Sequence, residues 1–248
     1  MIQRKLLIDA DLLCHQQTAA VEFPANWGGG LWTLHADAGE AIGRIACQVE
    51  RLVEETEADG VVLAWNDLQG SNFRKDLDST YKGNRAGTRK PVAFPEVREW
   101  MMDQWPSYDR PGLEGDDILG ILATHPKLEK AKEKVIFSGD KDMLTIPGLH
   151  YIDGEIVEVT EEAADDAFFF QTLTGDQTDG YPGCPGIGPK RARAILDEES
   201  SWEQVVAAYA AKNLSEAVAL HQARLARILR ASDYDFKTKK PILWEPPE

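Results

Sequence analysis

Three carboxylates lie within four positions of one another at the start of an apolar segment with helical spacing. They are Glu114, Asp116 and Asp117, and residues 118–122 after them read Ile-Leu-Gly-Ile-Leu. A helix N-terminus favours a negative charge by only about 0.3–1 kcal/mol, which is too little to hold three anions together. Hard cations such as Mg²⁺ prefer carboxylate oxygens and water as ligands. The pattern therefore indicates a divalent-metal site, and the alternative is a solvated acidic first turn.

Further aspartates follow three short apolar runs that are typical of buried strands. The runs span residues 5–8, 61–65 and 135–137, and the aspartates after them are Asp9, Asp67, Asp140 and Asp142. Apolar residues recur at helical spacing between 38 and 53, so the first two runs are predicted to form a parallel β-α-β unit. The carboxyl ends of parallel strands share one edge of an open sheet, where ligands bind. A single aspartate after a strand is more often part of a turn. Because aspartates follow three predicted strands, the pattern favours an acidic site at that edge.

The segment 71–91 is basic, although the whole chain carries a net charge of −15. Its cations are Arg74, Lys75, Lys82, Arg85, Arg89 and Lys90. Weak periodicity and two glycines predict a long, partly helical excursion over the acidic edge, and connections of this length are usually functional or disordered. The opposite charge of the excursion favours a role in clamping a substrate, and the alternative is a solvated surface loop.

A second acidic pair, Asp176 and Asp179, precedes a glycine-rich turn. In that turn Gly186 and Gly188 lead into a helix that Pro189 begins, and Lys190 and Arg191 follow directly. Small residues let backbone N–H groups approach a phosphate, and the helix N-terminus adds its dipole. The turn is therefore predicted to be a helix-hairpin-helix type contact with a nucleic-acid backbone.

Composition limits the class of protein. The chain has 248 residues, 43% hydrophobic and 28% charged, which predicts a folded protein with one large α/β domain or a domain and a small satellite. Three cysteines without a Cys-x-x-Cys pair argue against a disulfide framework or a zinc site and fit a reducing cytoplasm. No run of about 18 apolar residues occurs, so neither a membrane span nor a signal peptide is expected.

In combination, these motifs resemble the flap endonuclease / 5′→3′ exonuclease family, and the compact phage exonucleases in particular. The motifs lie at residues 8–9, 67, 73–74, 81–85, 114–117, 138–142, 175–179 and 185–190. The resemblance implies a PIN-like α/β fold with a mostly parallel central sheet flanked by helices. It also implies a helical arch at residues 68–93 and a helix-hairpin-helix module. We expect a nuclease core over 1–160, and the module with the C-terminal helices over 161–248, packed on the core as one unit.

The resemblance also implies a site with two Mg²⁺ or Mn²⁺ ions. The first metal would be held by Asp9, Asp67, Glu114, Asp116 and Asp117, and the second by Asp140, Asp142, Asp176 and Asp179. Lys82 and Arg85 would face the scissile phosphate, and Tyr81 would stack near the terminal base. Arg74 and Lys75 would contact nucleic acid. The turn containing Gly186, Gly188, Lys190 and Arg191 would hold the duplex backbone, in the family often through a bound K⁺ ion.

The activity implied is 5′→3′ hydrolysis of DNA in the cytoplasm of a bacterial cell or a phage-infected host, by a monomer. Cleavage of 5′ flaps and removal of RNA from RNA–DNA hybrids are further activities that the resemblance suggests. A PIN-type ribonuclease would share the acidic edge but would not need the module around Gly186. A structure-specific DNA-binding protein without hydrolysis would keep that module, but it would have no reason to keep nine carboxylates that repel one another.

Overall fold

The computed structural model describes residues 3–85 and 87–247 and is built around a six-stranded sheet. The strands of this sheet are β1 (Arg4–Asp9), β4 (Gly60–Ala64), β5 (Ser107–Tyr108), β6 (Glu133–Phe137), β7 (Gly148–Ile152) and β8 (Glu155–Val159). Two separate antiparallel hairpins pair β2 (Glu22–Asn26) with β3 (Trp32–Ala36), and β9 (Tyr234–Asp235) with β10 (Lys240–Pro241). The strand order in the large sheet is β5-β4-β1-β6-β7-β8, and only the β7–β8 pair is antiparallel. The predicted mostly parallel α/β sheet is confirmed.

Nine α-helices lie in the described ranges. They are α1 (Ala10–Ala20), α2 (Ala38–Thr56), α3 (Arg74–Leu77), α4 (Phe94–Gln104), α5 (Gly115–Thr124), α6 (Glu161–Thr174), α7 (Pro189–Leu196), α8 (Trp202–Ala210) and α9 (Glu216–Ala226). Short 3₁₀ turns occupy Gly83–Arg85, Lys141–Thr145 and Ala231–Asp233. No helix within these ranges is both long and apolar enough to cross a membrane.

Strand β1 is central because it pairs in parallel with both β4 and β6. Successive side chains of a strand point to opposite faces, so Ile8 packs in the apolar cluster under α1, α2 and α4, whereas Leu7 packs in the cluster under α5. The three apolar side chains of residues 5–8, Leu6, Leu7 and Ile8, are fully buried. Burial on both faces explains why the first strand reads as a continuous apolar run rather than as an alternating one.

The local sequence explains where helix α2 begins and ends and which of its faces is buried. Asp37 caps it by accepting the N–H of Glu40 at 2.9 Å. Its buried face carries residues at three- and four-residue steps, Ala41, Ile45, Val49 and Leu52 among them. The helix ends where Glu57 adopts a left-handed conformation with φ +51°. The crossover helix between β1 and β4 is therefore present as predicted.

A third apolar cluster lies apart from the sheet and contains side chains of α6, α7, α8 and α9. Tyr81 from the basic excursion belongs to this cluster, whereas Leu229 from the C-terminal segment packs with the sheet. The boundary at residue 160 therefore stays a prediction, because side chains from both sides of it share clusters. Over 68–85 and 87–93, the described part of the excursion, the only helical elements are one turn of α-helix, α3, and one 3₁₀ turn.

Candidate metal centre and nucleic-acid interface

A cavity of about 610 Å³ opens at the carboxyl edge of the central sheet. Seven of the nine predicted metal ligands line it: Asp9, Glu114, Asp116, Asp140, Asp142, Asp176 and Asp179. They come from the end of β1, the beginning of α5 and the segments that follow β6 and α6. The fold therefore gathers carboxylates that are far apart in the sequence.

Asp9 is fixed by two neighbouring elements. It caps α1 by accepting the N–H of Leu12 at 3.1 Å, and its second oxygen accepts the hydroxyl of Ser138 at 2.8 Å. Burial raises the pKa of Asp9 to about 6, and the negative charges of Asp11 and Asp140 raise this pKa as well. The carboxylate of Asp9 is thus held in place by hydrogen bonds, but its charged neighbours Asp11 and Asp140 are both negative.

Of the three acids at the start of α5, Glu114 and Asp116 have pKa values that are shifted in opposite directions. Burial, followed by the negative charges of Asp9 and Glu114, raises the pKa of Asp116 well above its ordinary value. Burial acts in the same direction on Glu114, but the positive charges of Lys82 and Arg74 lower the pKa of Glu114 to about 2. Glu114 therefore has counter-charges of its own, whereas Asp116 faces mainly other acids.

The donor chemistry of the cavity suits a divalent cation. Such ions take carboxylate oxygens as ligands, and a nearby positive charge would lower the raised pKa values of Asp9 and Asp116. Across residues 3–85 and 87–247, no three His, Cys, Asp or Glu side chains already stand in a coordinating arrangement. The oxygens of Glu114 and Asp179 instead face the ammonium of Lys82. The residues fit a metal, and its binding at Glu114 would require Lys82 to move.

Asp117 does not face the cavity. It is fully buried, and its two oxygens accept hydrogen bonds from the guanidinium of Arg74 at 2.7 and 2.9 Å. The same oxygens also accept the N–H groups of Glu114 and Leu229, each at 3.1 Å. Its acceptor sites are used by this network, so the position of Asp117 corrects the metal-ligand prediction and assigns it an ion pair that joins α5 to the basic excursion.

Asp67 also lies outside the cavity, and Asn66 lines it instead. The carboxylate of Asp67 closes a surface turn by accepting the N–H groups of Gln69 and Gly112, each at 3.0 Å. Asn66 accepts the N–H of Gly115 at 2.8 Å, at the beginning of α5. The residue after β4 that lines the cavity is thus Asn66, whereas Asp67 begins the turn 67–70, in which its carbonyl accepts the N–H of Gly70 at 2.9 Å.

Lys82 and Arg85 line the cavity, and their role as cations that face the scissile phosphate stays a prediction. Lys82 has a left-handed backbone with φ +53° and contacts Glu114, and its ammonium lies 3.5 Å from Asp179. Arg85 donates to the other oxygen of Asp179 at 2.8 Å. Both cations are therefore paired with acids of the predicted metal site.

Tyr81 and Arg74 do not occupy the positions that the sequence suggested. Tyr81 is 3% exposed, lies parallel to the ring of Tyr181 and donates to Glu114 and Asp179, each at 3.0 Å. Arg74 is 2% exposed and is held by Asp117 and by two backbone carbonyls. The ring of Tyr81 is therefore buried and not accessible to a base, and Arg74 joins the excursion to α5 and to the C-terminal end of α9 instead of contacting nucleic acid.

Lys75 and the glycine-rich turn are exposed. The ammonium of Lys75 lies 3.5 Å from the carbonyl of Gly70 and does not line the cavity. Gly186 has φ +74°, which favours glycine, and Gly188 caps α7. The guanidinium of Arg191 donates to the carbonyl of Gly186 at 2.7 Å and so stabilises the turn. Lys190 is exposed. Gly186, Gly188 and Lys190 are thus on the surface at the start of α7.

Asp11, Lys90 and Gln171 are among the cavity residues that were not predicted as site residues. Asp11 stands in the first turn of α1, two positions after Asp9, and a second acid in that turn was the available signal. Lys90 is the last cation of the basic excursion and reaches Asp11 at 3.0 Å. No sequence pattern marked Gln171, which faces the cavity from α6.

Comparison with known proteins places these observations in a family. Residues 4–169 match the family described as 5′-3′ exonuclease, N-terminal resolvase-like domain. The chain is 32% identical to the exodeoxyribonuclease of Enterobacteria phage T3, over 97% of this chain and 92% of that protein. It is also 32% identical to the exonuclease of Escherichia phage T7, over 97% of this chain and 93% of that protein.

Solved structures with similar folds include the T5 5′-exonuclease with divalent zinc ions bound, at a TM-score of 0.69 and 14% identity. A complex of the T5 flap endonuclease with DNA and metal ions matches at a TM-score of 0.67 and 15% identity. Each match covers 90% of this chain and 89% of the other. At such identities the likeness concerns the fold alone, and it confirms the PIN-like prediction. Since the family match spans most of the chain and both phage relatives align along nearly their whole length, this chain belongs to the 5′-3′ exonuclease family.

Proposed function

We propose that the protein is a metal-dependent 5′→3′ exonuclease that hydrolyses phosphodiester bonds at the 5′ ends of duplex DNA. Family membership makes it a nuclease that acts on DNA. The observation that carries the metal dependence is the cavity in which seven of the predicted metal ligands meet, three of them, Asp9, Asp116 and Asp142, with raised pKa values. Such a cluster of acids is costly to keep ionised without a cation.

The cavity acids divide into two groups of candidate metal ligands. Asp9, Glu114 and Asp116 would hold the first Mg²⁺ or Mn²⁺ ion, and Asp140, Asp142, Asp176 and Asp179 would hold the second. When bound, the two ions would supply an activated water and charge stabilisation for the leaving 3′ oxygen. Asn66 is a candidate to orient the first group, because its side chain holds the N–H of Gly115 at the start of α5.

Lys82 and Arg85 would neutralise the phosphate that is cleaved. Charge placed where negative charge develops in the transition state accelerates the chemical step. Both side chains already reach into the cavity, where they are paired with Glu114 and Asp179. When metal and substrate bind together, Glu114 and Asp179 would bind the metal ions, and Lys82 and Arg85 would bind the phosphate. Each charged group would thus exchange one partner of opposite charge for another.

The glycine-rich turn is a second DNA contact in this proposal. The N–H groups near Gly186 and Gly188, together with Lys190, would grip a duplex phosphate whatever its sequence. Arg191 would act by bracing the turn, because its guanidinium holds the carbonyl of Gly186. A K⁺ ion bound by this turn is part of the proposal.

Substrate range, assembly and location are proposed on the same basis. The fold matches a T5 flap endonuclease in complex with DNA, so 5′ flaps are proposed as substrates beside duplex ends, and the RNA strand of RNA–DNA hybrids is a further candidate. We expect a monomer. The phage origin of the similar exonucleases supports action in the cytoplasm of a bacterium or a phage-infected host.

The decisive experiment is digestion of 5′-labelled duplex, flap, RNA–DNA hybrid and single-stranded RNA, with and without Mg²⁺ or Mn²⁺. We expect metal-dependent release of short products from the 5′ ends of duplex DNA. Cleavage of RNA with DNA left intact would favour the PIN-type ribonuclease. Metal-independent binding of DNA without any cleavage would favour the non-catalytic DNA-binding protein.

A further inference from the structure

Lys90 is a cavity cation that the proposed mechanism leaves without a role. Its side chain is 57% exposed and lines the same cavity as the acids. The ammonium lies 3.0 Å from an oxygen of Asp11 and 4.0 Å from the centre of the Phe94 ring. An ammonium has three donors, so one hydrogen bond to Asp11 leaves two for another partner.

Asp11 is committed to holding this lysine. It is 9% exposed, and its second oxygen accepts the backbone N–H of Asn66 at 2.6 Å. Asn66 in turn accepts the N–H of Gly115 at 2.8 Å. A chain of hydrogen bonds therefore links Lys90 to the N-terminus of α5, where the candidate metal ligands Glu114 and Asp116 stand.

The backbone next to Lys90 is fixed as well. The guanidinium of Arg89 forms two hydrogen bonds with Glu22, each of 2.8 Å, and the same carboxylate accepts the N–H of Val92 at 2.6 Å. The ammonium of Lys90 is thus placed by contacts on both sides. Less conformational freedom remains to be lost when it binds a ligand.

Lys90 and the pair Lys82 and Arg85 belong to different parts of the cavity lining. Lys82 and Arg85 stand with Glu114 and Asp179, whereas Lys90 stands with Asp11 and Phe94. A nucleic-acid strand that enters the cavity brings a charge on every phosphate. Metals, Lys82 and Arg85 would neutralise the cleaved phosphate, but its neighbour in the strand needs a cation of its own in a cavity that eight carboxylates line.

We propose that Lys90, oriented by Asp11, binds the backbone phosphate adjacent to the one that is cleaved. Lys90 is then a substrate-binding residue, and Asp11 is a positioning residue that acts through it. This inference rests on the proposed nuclease function, because it assigns a second phosphate of the same substrate. By holding the neighbouring phosphate, Lys90 also sets the register of the strand, and thereby the length of the released product.

The first test measures DNA binding in EDTA, where no hydrolysis occurs. Lys90→Ala should weaken binding of a 5′-phosphorylated duplex and reduce the log–log salt slope by about one unit for one lost phosphate contact. Lys90→Arg should restore most of the slope. The matched control is Lys132→Ala, an exposed lysine beside the opposite end of β6, which should bind as the wild type does. Unchanged affinity and slope for Lys90→Ala would overturn the phosphate contact.

The second test addresses Asp11 and the register. Asp11→Asn keeps an oxygen for the N–H of Asn66 but loses the charge that holds Lys90. Its DNA affinity should fall, and Lys90→Ala added to it should cause little further loss. In Mg²⁺, both single variants should release a broader range of product lengths than Lys132→Ala does. Wild-type or tighter binding by Asp11→Asn, or fully additive losses in the double variant, would overturn the positioning role.

The two proposals fail in distinguishable ways. If the wild type bound DNA but did not cleave it, the nuclease function would be refuted, and the EDTA binding data would still decide whether Lys90 contacts a phosphate. If Asp11→Asn did not fold, Lys90→Ala and Lys90→Arg, which change only a largely exposed side chain, would decide the proposal alone.

Discussion

The ammonium of Lys82 contacts the carboxylate of Glu114 inside the acidic cavity, 32 residues away along the chain. The same ammonium lies 3.5 Å from Asp179, a candidate ligand of the other metal. One cation of the basic excursion therefore stands between both predicted metal groups. Competition between this lysine and divalent cations follows directly from the contact.

Removing Lys82 should strengthen metal binding while it slows catalysis. Lys82→Ala frees Glu114 and Asp179 from a competing cation, so isothermal titration calorimetry without DNA should show tighter Mg²⁺ binding. The single-turnover cleavage rate should fall, because charge on the scissile phosphate is lost. Lys132→Ala removes the same charge far from the cavity and serves as the control. Weaker Mg²⁺ binding by Lys82→Ala would contradict the competition.

The cavity carboxylates should be essential for cleavage but not for folding. Asp116→Asn and Asp140→Asn should each lower the cleavage rate by about 100-fold or more, the scale of losing a key electrostatic group in an active site. Circular dichroism should show an intact fold. Asp103→Asn, an exposed acid on α4, should cleave at the wild-type rate. Wild-type activity of either cavity variant in Mg²⁺ would refute the metal-ligand assignment.

Asp117 should behave in the opposite way to its neighbour Asp116. Asp117→Asn removes the carboxylate that accepts two hydrogen bonds from the buried guanidinium of Arg74, and Glu114 stays at 3.1 Å as a second charged partner. Breaking a buried ion pair costs up to about 3–5 kcal/mol of the free energy of unfolding. Asp116→Asn removes a repelling charge and should not destabilise the protein without metal. Urea denaturation in EDTA measures both. Equal stabilities of the two variants would mean that Asp117 is not the partner that holds Arg74.

Metal should stabilise the protein, and more so at higher pH. The pKa of Asp9 is raised from 3.8 to about 6, so the folded state binds more protons than the unfolded state in that window, and stability without metal falls as the pH rises from about 4 to 6. Mg²⁺ binds the ionised carboxylates and favours the folded state by mass action. Thermal melts at constant ionic strength should show a larger Mg²⁺-dependent rise in Tm at pH 8 than at pH 5. An equal rise at both pH values would contradict the coupling to these acids.

The basic excursion around Lys82 and the glycine-rich turn around Lys190 should contribute differently to catalysis and to DNA binding. Lys82→Ala should lower the single-turnover rate more than it weakens DNA binding. Lys190→Ala should mainly weaken binding and reduce the salt slope by up to about one unit. Both are measured on one duplex at one salt concentration, with the slope from a separate salt series. If both variants showed the same ratio of rate loss to affinity loss, the two regions would not have separate roles and would be only a general basic surface that binds DNA.

The sequence by itself determined the acidic edge and the class of fold. Apolar runs that end in Asp9 and shortly before Asp140 predict strand ends, and the start of α5 places Glu114 and Asp116 on a helix N-terminus. These signals are local, because strand alternation, helix periodicity and capping depend on neighbouring residues. The family resemblance was likewise readable, since its motifs are short and keep their order along the chain.

Only the tertiary structure decided which side chain contacts which partner. Asp116 and Asp117 are adjacent and chemically identical, yet one faces the cavity and the other pairs with Arg74, 43 residues away. Asn66 replaces Asp67 in the cavity for a similar reason, because the direction of the chain after β4 depends on what packs beyond it. Side-chain roles of this kind depend on contacts between distant segments, and local pattern carries no information about such contacts.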